Sequence, residues 1–197
     1  MAHMRPLSLD EITDPELHQR LEEYQRIRRF IPNSVKTMAR RPSIAKSFAA
    51  LNKAILYEGT VSEELKMLIS LASSYAAGCR YCQSHMANLS SIYKASDEKI
   101  AALWEFDRSP LFSAAERAAI TLALKAGTLP NEASKEDFDE LAKYFDEGQI
   151  VEIVASIALF GYLNRWNDTM ATELEQYPKE VAERAIGSAG WNPGKHG

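Results

Sequence analysis

Apolar residues recur three and four positions apart along nearly the whole chain, and no stretch alternates convincingly with period two. The clearest case is VSEELKMLISLASSYAAG, in which Leu65, Leu68, Ile69 and Ala72 share one face at helical spacing. Polar punctuation divides the pattern into helices. Asp14-Pro15, an N-cap followed by proline at the first helical position, opens a segment that runs to about Phe30 and stops before Pro32. Pro42 opens a second that ends at Gly59, and Ser62 opens a third that ends at Gly78. The next begins near Cys79 and runs to about Lys94. Ser96, with Asp97 and Glu98 behind it, suits the start of SDEKIAALWEF. Ser113 and Glu116 form a capping box ahead of a helix ending at Gly127, and Ser134 with Asp137 repeats the device. A long apolar segment follows Gly148, then a short helix after Pro178 and a tail rich in Gly and Pro. The pattern predicts an all-α compact helical bundle, with residues 1–30 as an N-terminal tail and helical arm and residues 178–197 as a short C-terminal helix and tail. Residues 1–4 (MAHM) read as a cloning remnant and are set aside from fold reasoning.

Two segments predict burial beyond an ordinary amphipathic face. Residues 150–163 are apolar nearly all round, which suits a central helix or one shared between subunits. Residues 64–77 are rich in Ala and Ser, which permits close helix approach. Together they raise the expectation of a homo-oligomer.

Composition then narrows the classes of function. Hydrophobic residues are 46% and charged residues 25% of the 197, enough for a real core. A formal charge of −4 gives no general pull towards nucleic acid, and the pair Arg40-Arg41 is too short a cluster to change that. No apolar run approaches the ~20 residues needed to span a bilayer. The start carries no apolar secretory stretch, so a cytoplasmic location is expected.

The chemistry concentrates in GCRYCQSHM, residues 78–86, which holds both cysteines of the chain. A disulfide between Cys79 and Cys82 closes a loop too short to staple the fold. In a reducing compartment such a pair is catalytic, redox-sensing or metal-binding more often than structural. Cys79 follows Gly78 at a helix start, where free backbone N–H groups and Arg80 favour a thiolate. Cys82 lies one turn on, so one sulfur could attack and the other resolve. His85 is a same-face neighbour of Cys82, either a proton donor and acceptor or a satisfied surface residue. Zinc would need two further ligands; there is no second CxxC and no HxxxH, and His3, His18 and His196 lie near the ends. Neither a metal nor an organic cofactor is expected.

NRWND, at 164–168, places Asn164 and Asp168 on one face, with Asn167 and Trp166 beside them. They could line the thiol pocket, with Trp166 as an apolar wall, or serve as hydrogen-bonding contacts between helices or subunits, with Trp166 as core; the second reading is favoured. Tyr81 reads as a packing residue and Glu116 as a capping acid.

The stretch LKMLISLASSYAAGCRYCQSHMANLSS resembles the core of the alkylhydroperoxidase D-like proteins of the carboxymuconolactone decarboxylase superfamily. RPSIAKSFAALNKAIL, SAAERAAITLALKAG and ALFGYLNRWNDTMATELE are similar to helices before and after that core, so the resemblance covers most of residues 30–175, nearest the peroxidase-related branch. It implies an alkylhydroperoxidase D-like helical domain over 31–177, an oligomer, and a thiol-dependent hydroperoxidase. That activity takes a hydroperoxide substrate and is recycled by an external dithiol or protein reductant. By this resemblance Cys82 is peroxidatic and Cys79, the more exposed thiol, resolving; electrostatics alone favours Cys79 as the more acidic. The family's relay glutamate and histidine fall here on Met67 and Met86, so Glu63, Glu64 or His85 would have to substitute. A protein disulfide reductase and a redox sensor are the alternatives. The decarboxylase activity of the superfamily does not rely on this cysteine pair.

Overall fold

The computed structural model describes residues 2–197, and every regular element among them is helical. The helices are α1 (Pro15–Arg28), α2 (Asn33–Met38), α3 (Pro42–Leu56), α4 (Glu63–Ala76) and α5 (Arg80–Ile92), followed by α6 (Asp97–Ala101), α7 (Ala114–Gly127), α8 (Lys135–Leu141), α9 (Glu147–Met170) and α10 (Gln176–Ile186). The caps read from the sequence form as expected. Asp14, Ser62, Ser96 and Ser113 each accept a backbone N–H from the first turn of α1, α4, α6 and α7. Ser113–Glu116 and Ser134–Asp137 make reciprocal boxes. The long helix starts ahead of Gly148, because Asp146 and Gln149 form a further box there. Helix α2, between Pro32 and Pro42, has no counterpart in the sequence reading; it is six residues long, too short to show a period.

The centre of the fold is α4. Its side chains are buried continuously from Leu65 to Ser74, and it packs against α5, α7 and α9. Alanine and serine make this possible by letting three neighbours approach at once. The end of α7 comes closest: a Cβ on Gly127 would lie 2.8 Å from the Ser73 carbonyl oxygen, so only glycine fits.

Within the segment expected to be central or shared between subunits, α9 keeps Val151, Val154 and Tyr162 exposed on one stripe, while Ile153, Ile157 and Phe160 face the core. Lys66, buried within α4, is held by an ion pair of 2.8 Å to Glu152 on α9 and by the Glu58 carbonyl. The same carboxylate accepts the N–H groups of Thr60 and Val61, fixing the turn before α4.

Helix α10 covers α5, and the tail beyond it folds back over the start of α5. Trp191 Nε1 donates to the Arg80 carbonyl at 3.2 Å, and Leu174 N–H donates to the His196 carbonyl at 2.8 Å. Among the described residues, no helix is long and apolar enough to cross a membrane.

Candidate functional site

Gly78 leaves α4 with φ +75°, and the chain re-enters helix at once with Cys79 as the N-cap of α5. Cys82 follows one turn later, so the two thiols share the start of one helix. Both are free and both are buried, at 0% and 2% exposure. The resemblance implied a more exposed first cysteine; here the tail packed over the start of α5 buries Cys79 completely. What separates the two is direction. Cys82 opens onto a partly open cavity, whereas Cys79 is a close neighbour that does not line it. Burial pushes the Cys82 thiol well above its ordinary range, and the neighbouring Cys79 adds to this. Asn167 Nδ2, which donates to Cys82 Sγ at 3.4 Å, acts in the opposite direction by stabilising a thiolate.

The cavity holds about 320 Å³, is lined from α1, α2, α3, α5 and α9, and is partly open to solvent. Its walls are largely apolar and aromatic, with Tyr24, Phe48, Tyr57, Leu89 and Phe160 among them. Among the polar residues that line it are Cys82, His85, Tyr81 and Asn167, along with Arg20, Lys46, Asn52 and Lys53. This is the usual anatomy of a small-molecule site, apolar walls with a few placed polar atoms.

His85 sits one turn beyond Cys82, as its spacing predicts, and lines the same cavity. Its Nε2 lies 2.7 Å from Glu175 Oε2, and its ring stacks on Tyr81 with centroids 4.5 Å apart. A carboxylate can only accept, so the neutral ring carries its hydrogen on Nε2 and leaves Nδ1 for proton exchange. Tyr81 OH donates to Glu175 Oε1 at 2.9 Å, and Asn33 N–H donates to that oxygen too. Burial pushes the Glu175 carboxyl up, but His85 and the Asn33 N–H outweigh it and hold the group below its ordinary value. Tyr81 therefore does more than pack, since it orients the carboxylate that orients the histidine.

The remaining residues singled out in the sequence scatter. Glu63 is exposed at the start of α4, and Glu64 pairs with Lys99 at 2.8 Å; neither lines the cavity. Met67 is buried in α4 away from the lining, whereas Met86 is part of it. Asn164 is buried, with neither side-chain heteroatom hydrogen-bonded, and does not line the cavity; Trp166 lines a separate surface hollow with Tyr162. Asp168 lies on the far side of the cysteine pair. It is bonded to Lys195 at 2.8 Å and stands 3.6 Å from His196 Nε2. One ring nitrogen of His196, a carboxylate oxygen of Asp168 and Cys79 Sγ all lie within 4.8 Å of one another. Sequence reasoning missed Glu175 and the placement of His196. Both reach the site from distant segments, and no local spacing signals them.

Chemically, the site offers a dithiol whose outer sulfur meets an apolar guest, with an oriented imidazole one turn away. Such a pair can deliver two electrons to a soft electrophilic atom and end as a disulfide.

The carboxymuconolactone decarboxylase family model matches residues 42–125. Among solved structures, the chain is similar to the apo debrominase Bmp8, at 36% identity and a TM-score of 0.84 over 92% of this chain and 96% of that one. It is similar to the same degree, at 35% identity, to the C82A variant of that debrominase in complex with 2,3,4-tribromopyrrole. A likeness in fold extends to an alkylhydroperoxidase AhpD core, an uncharacterized peroxidase-related protein from Ralstonia eutropha JMP134. It is 23% identical, with a TM-score of 0.78 over 94% of this chain and 97% of that one. No curated protein matches the chain. With the dithiol helix start, the all-helical fold and these likenesses together, the chain belongs to the carboxymuconolactone decarboxylase family.

Proposed function

We propose that the chain is a dithiol-dependent reductive dehalogenase for a small, apolar brominated ring. The carrying observation is that the buried Cys82 thiol opens onto a cavity with largely apolar and aromatic walls, while Cys79 stands beside it on the same helix start. The likeness to a debrominase over nearly the full length of both chains supports bromine as the atom removed. Cys82 gives its proton to His85 Nδ1, the thiolate takes the bromine, and the electron pair of the C–Br bond stays with the ring carbon. That carbon takes the proton from the His85 imidazolium, which returns to its neutral form held by Glu175. Cys79 then attacks the Cys82 sulfur, the S–Br bond breaks, and bromide leaves as the disulfide forms. The sum is a ring C–Br and two thiols giving a ring C–H, one disulfide, bromide and a proton. An external dithiol restores the pair. The exposed stripe of Val151, Val154 and Tyr162 serves as a contact between copies of the chain.

A second reading, reduction of an alkyl hydroperoxide to alcohol and water, uses the same thiols and is supported by the family. Against it stand Met67 and Met86, which cannot transfer protons, at the relay positions, so that His85 and Glu175 would carry the whole relay. Burial of both sulfurs argues against a macromolecular disulfide as substrate and against a surface redox sensor. The test is turnover with excess dithiothreitol on 2,3,4-tribromopyrrole and on cumene hydroperoxide in parallel. Repeated bromide release supports the dehalogenase. Hydroperoxide consumption without bromide supports the second reading, and a single stoichiometric oxidation supports a sensor.

A further inference from the structure

We propose that His196, in the C-terminal tail, is the proton acceptor for Cys79 in the step that closes the disulfide. This inference rests on the dithiol reading but adds a residue and a segment that the cysteine motif does not contain.

His196 is 1% exposed although the segment that carries it lies beyond the last α-helix. Its Nδ1 lies 2.8 Å from the Thr172 carbonyl oxygen. A carbonyl only accepts, so Nδ1 carries the ring hydrogen and Nε2 is left with its lone pair. That Nε2 is buried and has no hydrogen-bond partner among the described residues. An unpaired buried acceptor is costly, and its lone pair is free to take a proton. The ring stands in the triangle with Cys79 and Asp168 described above, with Nε2 on the Asp168 side at 3.6 Å. The other titratable or charged groups facing the ring are Lys195, which is tied to Asp168, and Tyr81, whose ring centroid is 5.9 Å away. Burial holds the imidazole below its ordinary value, so it is neutral and a base near pH 7.

The proton balance follows. The Cys79 S–H bond breaks towards Nε2, and the thiolate attacks the Cys82 sulfur. The group on that sulfur leaves as an anion: bromide from a bromide adduct, or hydroxide, which becomes water, from a sulfenic acid. Asp168 stabilises the imidazolium formed, and its carboxylate, 45% exposed, connects the proton to solvent. The tail is thus part of the reactive site: the Leu174 N–H bond to the His196 carbonyl and the Trp191 Nε1 bond to the Arg80 carbonyl hold the imidazole against α5.

The experiment uses the full chain and a substrate-independent oxidant. Millimolar hydrogen peroxide is mixed with reduced wild type and with His196→Asn and His196→Ala, and quenched samples are analysed by intact mass, with dimedone present in a parallel series. Asparagine can keep the donor to Thr172 while removing the base. Circular dichroism and thermal melts select variants folded like wild type. The expected result is wild type losing 2 Da with little trapped sulfenic acid, while folded His196→Asn accumulates the +16 Da species and closes the disulfide roughly a hundredfold more slowly at pH 7. Its closure rate should rise steadily with pH, whereas the wild-type rate should level off above the imidazole's transition. Equal closure rates and equal pH profiles in wild type and His196→Asn would overturn the inference while leaving the dithiol reading intact. Wild type that forms neither sulfenic acid nor disulfide overturns both.

Discussion

His85 Nε2 and Glu175 Oε2 lie 2.7 Å apart although 90 residues separate them in the chain. That contact ties the helix carrying Cys82 to the loop before α10, and Tyr81 and Asn33 close around the same carboxylate. It gives the imidazole one orientation and one tautomer. Glu175→Gln should therefore lower dehalogenation while leaving both thiols in place.

The same pair has a pH signature. The Glu175 carboxyl is depressed in the folded chain, so its contribution to stability is fully present above the unfolded value of about 4.5. It is lost as pH falls through the lower folded value. Glu175→Gln should cost roughly 2 kcal/mol at pH 7, and the gap from wild type should narrow steadily below pH 4.5. Urea melts across pH 3–7 check this, and a gap independent of pH would count against it.

Asn167 Nδ2 is an N–H donor to Cys82 Sγ, so it favours the thiolate. In a Cys79→Ser background, Asn167→Leu should raise the Cys82 pKa further and slow its modification by methyl methanethiosulfonate roughly tenfold at pH 7. The difference should shrink at high pH, where both forms ionise.

Lys66 is 1% exposed and depends on Glu152 for its charge partner. Lys66→Met should destabilise the chain by about 3 kcal/mol, because Glu152 then loses the partner that holds its pKa down to about 2. Acid melts should show this contribution in wild type fading between pH 4.5 and 2, as the carboxylate protonates.

The exposed apolar stripe of α9 predicts a homo-oligomer. Light scattering should give wild type a multiple of the 22.1 kDa chain mass and Val154→Glu the single mass. A wild type that runs at the single mass would remove the oligomer from the account.

Much of this molecule was legible before the structure. The helices announced themselves through caps such as Ser113–Glu116, because a cap is a contact between residues three apart. Cys79, Cys82 and His85 were legible for the same reason: spacing along one helix fixes which side chains share a face. Glu63 and Glu64 were attractive as relay substitutes on that logic, yet Glu64 is drawn to Lys99 across the bundle. Glu175 and His196 were invisible because their positions depend on how α10 and the tail pack over α5, a long-range outcome with no local period. The apolar run at 150–163 left open a central helix or one shared between subunits, because periodicity does not say what covers each face of a helix that is apolar nearly all round.

The most direct measurement of the central claim is a single-turnover experiment on the reduced, full-length chain with one equivalent of 2,3,4-tribromopyrrole and no added reductant. Bromide, free thiols and intact mass are read from the same samples. The account predicts one bromide released per chain, loss of two thiols and a mass decrease of 2 Da. Release of bromide with both thiols still free, or both thiols free and no bromide at all, would contradict it.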